Sequence, residues 1–243
     1  MRVPRAYTPQ ALAVGQSVQL AAATSHHLLK VLRLQCGHPV ALFNGDGYEY
    51  HTALEADDGK LATLTVTGVS QPRRESTLHI SLGQGISRGE RMDLVMQKAV
   101  ELGVNNITPL WTRRAQVRLT GKRLDKRLEH WRGIIQAACE QSGRLLLPEL
   151  HAATELEPWL DAPGATTRVV LDPEADTPLC ALARAQRVQI LIGPEGGLDK
   201  QELQAALAAG FKPVRLGARI LRTETAALAA LAALQTLWGD FGA

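Results

Sequence analysis

The stretch Val188-Gln189-Ile190-Leu191-Ile192-Gly193-Pro194-Glu195-Gly196-Gly197 decides the fold class. Its first five residues are almost wholly apolar and rich in β-branched side chains, which is typical of a strand buried on both faces. The glycine-rich loop that follows leads into a helix predicted at about 199–209. A buried strand, a loop and a helix form the repeating unit of a parallel sheet, so an α/β fold is predicted.

The same alternation extends in both directions from this stretch. Apolar runs predict further strands at 78–82, 107–111, 169–171 and 214–216. Apolar residues spaced three and four apart predict helices at 92–100, closed by Gly103, and at 124–138, and a last Ala/Leu-rich helix at 225–238. The second half of the chain is therefore predicted to be a parallel sheet covered by helices on both faces.

The first part of the chain has a different pattern. Short apolar alternations at 17–20, 40–43 and 61–66 predict strands of a small β-barrel. One or two helical turns are expected at 25–32, where Leu28, Leu29 and Leu32 share a face. Pro72 lies in a polar stretch that reads as a linker. We therefore divide the chain into residues 1–71 and 74–243.

Composition limits the class of protein. The 243 residues are 45% hydrophobic and 21% charged, which indicates an ordered globular protein, and no apolar run approaches the roughly 20 residues of a membrane span. The three cysteines include no Cys-x-x-Cys pair, so neither a zinc site nor a disulfide framework is predicted, and no metal is expected. We expect a cytoplasmic protein without membrane contact.

Two loops carry the candidate chemistry, at 192–198 and at 216–226. In an open parallel sheet, ligands bind where loops leave the carboxyl ends of strands. The first loop does not have the spacing of a phosphate loop, and a simple strand-to-helix turn remains an alternative. In the second, Ile220 and Leu221 are predicted to line an apolar slot for a purine, and Thr223 to cap the last helix. Alternatively, its arginines only pair with nearby carboxylates.

The net charge of +3 is modest, but basic residues cluster between 113 and 132. Such a cluster is a candidate contact for nucleic-acid phosphates. The side chains that we assign to RNA there are Arg114, Arg118, Lys122 and Arg123.

Five pieces of the sequence, in order, closely resemble the bacterial 16S ribosomal RNA uridine-N3 methyltransferase family, a branch of the knotted SPOUT methyltransferases. They are His27-Leu28-Leu29-Lys30-Val31-Leu32-Arg33; Gln97-Lys98 with Glu101-Leu102-Gly103-Val104; Glu140-Gln141-Ser142-Gly143-Arg144; Ile192-Gly193-Pro194-Glu195-Gly196-Gly197; and Leu216-Gly217-Ala218-Arg219-Ile220-Leu221-Arg222-Thr223-Glu224-Thr225-Ala226. The resemblance covers essentially the whole chain. Ala115 departs from the family, whose members often have serine there.

The resemblance implies a PUA-like barrel at the N-terminus and a C-terminal SPOUT domain tied in a trefoil knot. It also implies S-adenosylmethionine (SAM) as cofactor, 16S ribosomal RNA in the small ribosomal subunit as substrate, and a homodimer. Mapped onto this chain, the cofactor-binding residues are Leu171, Ile192, Gly193, Pro194, Glu195, Gly196, Gly197, Leu216, Gly217, Ile220, Leu221, Arg222, Thr225 and Ala226. Lys30 and Arg33 are implied as further contacts to RNA phosphates.

Methylation of uridine N3 requires loss of the imide proton and stabilisation of the resulting anion. We assign the electrostatic role to Arg222, and Glu224 or Glu140 is the proton acceptor. For Glu140, an ion pair with Arg144 on the same helix is an alternative. Two other functions stay open: an RNA-binding ribosome assembly factor whose methyltransferase pocket is vestigial, or a SPOUT methyltransferase acting on another RNA position.

Overall fold

The computed structural model describes residues 3–242 except 58–60, 117 and 163–166. The chain forms two compact units. The first consists of Met1–Glu75 with Cys139–Leu147, and the second of Ser76–Ala138 with Pro148–Ala243. The return of the chain to the first unit at Cys139–Leu147 has no counterpart in the division that we made from the sequence.

The first unit contains a five-stranded sheet, in agreement with the β-rich pattern of its sequence. Its strands lie in the order β1-β3-β4-β5-β2, and every neighbouring pair is antiparallel except β1 with β3. Leu42, Leu54 and Leu64 pack in its core. The strands are β1 (Arg5–Tyr7), β2 (Ser17–Gln19), β3 (Pro39–Phe43), β4 (Glu49–Asp57) and β5 (Ala62–Ser70).

The predicted helical turns exist as α1 (Ala22–His26), continued by a π-turn at His27–Val31. Leu28 and Leu29 are buried as predicted, but Leu32 is 42% exposed, so the shared face of all three was wrong. The cause is the wider π-turn, in which Leu32 N–H donates to the carbonyl of His27, five residues earlier, and so turns Leu32 away from the core. Arg33 then ends the turn with a φ of +53°.

The second unit contains a parallel sheet, which confirms the predicted α/β class. The strand order is β12-β10-β11-β6-β7-β8, and β9 also pairs with β7. The strands are β6 (His79–Gly85), β7 (Asn106–Trp111), β8 (Glu149–Leu150), β9 (Thr154–Glu155), β10 (Thr167–Leu171), β11 (Arg187–Ile192) and β12 (Lys212–Val214). The predicted strand at 214–216 was misplaced, because β12 ends at Val214 and Arg215 makes only an isolated bridge to Pro178.

Four helices of the second unit begin and end close to the predicted positions, and a short helix at Leu156–Asp161 was not predicted. The helices are α2 (Glu90–Glu101), α3 (Lys122–Ser142), whose last turn belongs to the first unit, α4 (Leu156–Asp161), α5 (Lys200–Ala208) and α6 (Thr223–Leu237). Trp131 and Trp159 are buried. None of the described helices is long and apolar enough to cross a bilayer.

The strand order explains where a ligand can bind. Strands β12, β10 and β11 are consecutive neighbours in the sheet, and all run in the same direction. Their carboxyl ends therefore meet at one edge, where three loops leave the sheet together. The trefoil knot stays a prediction from the resemblance.

Candidate functional site

A cavity of about 770 Å³ lies at this edge of the sheet. Its walls are the loops that follow β10, β11 and β12. All of the residues that we predicted to bind the cofactor line the cavity except Thr225, which is exposed on α6. Leu221 lines it as predicted, but Ile220 is 86% exposed, so within one chain it does not form a closed apolar slot.

The loop after β11 is tightly packed at Gly193 and against Gly85 of β6, where side chains would not fit. A Cβ on Gly193 would lie 2.9 Å from the backbone nitrogen of Leu198, and one on Gly85 would lie 2.5 Å from that of Pro194. Gly197 differs, because its φ is +68° and a Cβ there would meet nothing within 4 Å. The loop therefore presents its backbone, and not side chains, to the cavity at Gly197.

Glu195 anchors this loop to the first turn of α2 and the residues just before it. Its carboxylate accepts hydrogen bonds from Arg88 N–H and from the Arg91 guanidinium, both at 2.9 Å. Burial raises the pKa of the Glu195 carboxyl, but these hydrogen bonds outweigh burial and hold that pKa below its usual value. Glu195 thus stays charged and fixes one wall of the cavity.

Thr223 joins the two predicted loops, and does not cap α6 as expected. The position before α6 is Arg222, and no side chain caps that helix. The Thr223 hydroxyl instead donates to the Gly193 carbonyl at 2.6 Å and accepts from the Gln84 amide at 2.9 Å. Because Gln84 is fully buried in β6, this bond network ties both cavity loops to the middle of the sheet.

The start of α6 brings two predicted catalytic residues to the cavity. Glu224 is 9% exposed, and its Oε2 makes no hydrogen bond to any described residue. Its other oxygen lies 3.9 Å from Nε of Arg91, which sequence reasoning missed. Arg222 is exposed at the cavity wall, and neither it nor Arg219 forms an ion pair with a described residue, which disfavours the alternative that these arginines only pair with carboxylates.

Sequence reasoning also missed the segment Asp172-Pro173-Glu174, which follows β10 and lines the cavity. Asp172 N–H donates to the Val214 carbonyl at 3.0 Å, which holds this loop beside β12. Carboxylates directly after a strand are a common partner for ribose hydroxyls. Because this segment directly follows β10, the tendency of ligands to bind at the carboxyl ends of parallel strands predicts it as well.

The third predicted catalytic residue, Glu140, belongs to the first unit. Its carboxylate accepts a hydrogen bond from Tyr7 N–H at 3.0 Å. Its neighbour in sequence, Arg144, binds Glu75 at 2.8 Å. The first contact holds the returning segment against β1, and the second holds it against the segment that follows β5.

The predicted RNA contacts fall into two groups. Lys30, Arg33, Lys122 and Arg123 are exposed, as is Arg118, which also pairs with Glu155. Arg114 is also exposed, but it lines the cavity, and its guanidinium donates to the Gly196 carbonyl at 3.0 Å. Its role includes support of the glycine-rich loop.

The lining of the cavity fits SAM, which the resemblance implies. Leu171, Ile192 and Leu216 offer apolar walls for an adenine ring, while the loop backbone offers polar groups for its edge. The carboxylates of Asp172 and Glu174 suit ribose hydroxyls or a positively charged amine. The described residues hold no cluster of three or more His, Cys, Asp or Glu side chains that could bind a metal ion.

Comparison with known proteins places the chain among RNA-modifying proteins. A family described as an RNA methyltransferase domain matches residues 74–235, and one described as an RNA methyltransferase PUA domain matches residues 20–67. The ribosomal RNA small subunit methyltransferase E of Buchnera aphidicola from Schizaphis graminum is 34% identical over 241 residues, which cover 98% of each chain.

Two solved structures superpose on nearly the whole length of this chain. A methyltransferase from Legionella pneumophila, solved with its cofactor SAM, superposes with a TM-score of 0.97 at 38% identity and covers 99% of this chain and 100% of its own. The ribosomal RNA small subunit methyltransferase E of Neisseria gonorrhoeae, bound to SAM, gives 0.93 at 40% identity with the same coverage.

Proposed function

The chain belongs to the RNA methyltransferase family, and we propose that it transfers a methyl group from SAM to N3 of a uridine in 16S ribosomal RNA of the small ribosomal subunit. The observation that carries this proposal is the cavity at the carboxyl ends of β10, β11 and β12. Its lining fits SAM, and two relatives at 38% and 40% identity were solved with SAM bound.

Bound SAM supplies a methyl group on a positively charged sulfur that is ready to leave. The protein's part is to align the uridine nitrogen with that methyl group and to exclude competing acceptors. The backbone at Gly193 and Gly197 holds the cofactor loop in a fixed shape, and Thr223 holds that loop against the start of α6. A site fixed in this way loses little energy to rearrangement when the reaction occurs.

Arg222 and Glu224 are the proposed reactive side chains. The imide proton of uridine must leave as the nitrogen attacks, and the Oε2 of Glu224 has no hydrogen-bond partner among the described residues. Glu224 therefore receives the proton, while the exposed Arg222 stabilises negative charge on the uracil oxygens. Glu140 remains a second candidate for proton acceptance.

RNA recognition is assigned to both predicted domains, residues 1–71 and 74–243. Lys30 and Arg33 contact phosphates from the first, and Arg118, Lys122 and Arg123 do so from α3 and the loop before it. With aromatic residues forming only 4% of the chain, stacking on a run of bases is disfavoured. We therefore propose that the shape of the assembled subunit is recognised, which places the enzyme in the cytoplasm with its ribosomes.

We propose that the protein acts as a homodimer, as the resemblance implies. Helix α6 has a buried face that includes Leu231 and Leu234. Half-buried apolar residues lie on its other faces, including Leu228, Ala229 and Ala233. A helix with apolar residues on several faces is normally covered on more than one side. A second copy of the chain would cover the remaining faces.

The proposal is tested by incubating the purified protein with SAM and small subunits from a strain that lacks the enzyme. Mass spectrometry should find one methyluridine with an unmodified ribose, and primer extension should stop at it, because N3 methylation removes a Watson–Crick donor. A methyl on a ribose hydroxyl or on guanine would support another RNA position. Failure to bind SAM in calorimetry would support the assembly factor with a vestigial pocket.

A further inference from the structure

A second cavity, of about 540 Å³, adjoins the first in the second unit. The two cavities share three lining residues: Arg91, Arg222 and Glu224. A group that receives a methyl from a cofactor in the first cavity must lie directly beside that cavity, as the second cavity does. We propose that this second cavity seats the target nucleobase, an inference that rests on the function proposed above.

The size and lining of the cavity fit a flat ring with a polar edge. Its volume falls in the range of about 300–1,000 Å³ that is usual for ligand pockets. Leu94 of α2 is 39% exposed, and Ile134 of α3 is half-buried, so both can offer apolar surface to the face of a base. A planar ring that covers an exposed leucine removes apolar surface from water, and this burial contributes favourably to the free energy of binding.

The polar groups match the edge of uracil better than that of cytosine. Uracil presents a carbonyl, an N–H and a second carbonyl, and so requires a donor, an acceptor and a donor in that order. The cavity offers the guanidinium groups of Arg91 and Arg222, the amide of Gln97 and the carboxylates of Glu90, Asp93 and Glu224. Of these carboxylates, Asp93 already accepts a hydrogen bond from the Trp131 ring at 3.0 Å. Cytosine presents a ring nitrogen acceptor where Glu224 offers only an acceptor, so its edge would leave a carboxylate unpaired.

The reaction balances with these groups. The N3–H bond breaks and its proton passes to the Glu224 carboxylate, while the nitrogen electron pair forms a bond to the methyl carbon. The carbon–sulfur bond breaks, and its electron pair stays on sulfur, which becomes neutral. Glu224 then releases the proton to water.

Arg91 has a positioning role in this arrangement. It donates to Glu195 of the cofactor loop at 2.9 Å and also lies 3.9 Å from Glu224. Glu224 thereby keeps one oxygen near a cation and the other without a partner among the described residues. The geometry points to Arg91 as the residue that fixes the position of Glu224, the proton acceptor, relative to the loop after β11.

The test fills the second cavity without touching the first. Leu94→Trp and Gln97→Trp each place a large ring in the proposed base site, and neither position lines the cofactor cavity. The matched control is Leu146→Trp in the first unit, because Leu146 has the same 39% exposure as Leu94. Single-turnover methyl transfer to small subunits, SAM affinity by calorimetry and subunit affinity by filter binding are measured for each variant.

We expect both cavity variants to bind SAM and subunits like the wild type, and to transfer methyl on the order of a hundredfold more slowly, as for a displaced reactant. The control should keep the wild-type rate. Wild-type rates in a folded Leu94→Trp or Gln97→Trp protein would overturn the base site alone. A wild-type protein that binds SAM but methylates no ribosomal RNA would overturn the proposed function, and the base site with it.

Discussion

Replacing Thr223 with valine tests how the cofactor cavity is held together. Valine has nearly the same shape as threonine but no hydroxyl, so the change leaves the Gly193 carbonyl and the Gln84 amide without their shared partner. Thr223 is 6% exposed and Gln84 is fully buried, so water does not reach these groups to replace the lost hydrogen bonds. Each unsatisfied buried group costs roughly 1–3 kcal/mol, and we expect the free energy of unfolding to fall by at least about 2 kcal/mol.

Tryptophan fluorescence during urea unfolding measures this loss in the right part of the molecule. All four tryptophans of the chain lie in the second unit, together with Thr223. Thr236→Val is the matched control, because Thr236 is exposed on the same helix and, among the described residues, its hydroxyl bonds only the Ala232 carbonyl, at 2.9 Å. Thr223→Ser should keep wild-type stability, since it keeps the hydroxyl.

Calorimetry with SAM gives an independent readout, because the affected carbonyl belongs to the cofactor loop. We expect the affinity of Thr223→Val for SAM to fall, and that of Thr236→Val to stay unchanged. The reasoning is refuted if Thr223→Val unfolds within about 0.5 kcal/mol of the wild type, the range of a neutral surface substitution.

Three further changes test other parts of the molecule. Gly197→Val should abolish SAM binding in a folded protein, because a β-branched residue at a φ of +68° strains the loop and extends into the cavity; calorimetry that finds wild-type affinity would exclude this loop from the site. Arg33→Gly should unfold at a similar or higher urea concentration, since glycine tolerates a φ of +53°, yet bind small subunits more weakly in filter binding. Neutralising three exposed cations should make the salt dependence of RNA binding shallower, by about 0.7–0.9 of slope for each lost phosphate contact, with SAM affinity unchanged; an unchanged slope would mean a merely solvated face. These cations are Arg118, Lys122 and Arg123.

The sequence predicted the parts of the fold that depend on local pattern. The apolar run before Gly193 is β11, and the spacing of apolar residues located α2, α3, α5 and α6 to within a few residues. The two cavity loops were predictable because they directly follow strands. The end of β12 was less predictable, since Arg215 is held by a bridge to the distant Pro178 and not by neighbouring residues.

Three of the missed features depend on contacts between residues far apart in the chain. Thr223 has the residue type and position of a helix cap, and only the approach of Gly193 and Gln84 gives it another role. Arg91 looks like a solvated residue of an amphipathic helix until Glu195 and Glu224 meet it. Arg114 belongs by composition to a basic cluster, but the bond to Gly196 draws it into the cavity wall.

The bond between Gln84 and Thr223 also has a consequence for how the protein is made. Its two residues are 139 positions apart, and β6 pairs with β11 in the middle of the sheet. A chain emerging from the ribosome at about 5–20 residues per second exposes the apolar β6 well before its partner β11 exists. Pairing between residues so far apart in the chain slows folding. Because α6 also lines the cofactor cavity, the cavity can assemble only when synthesis is almost complete. Truncated chains that end before α6 should therefore be substrates for chaperones and proteases, and never partial enzymes.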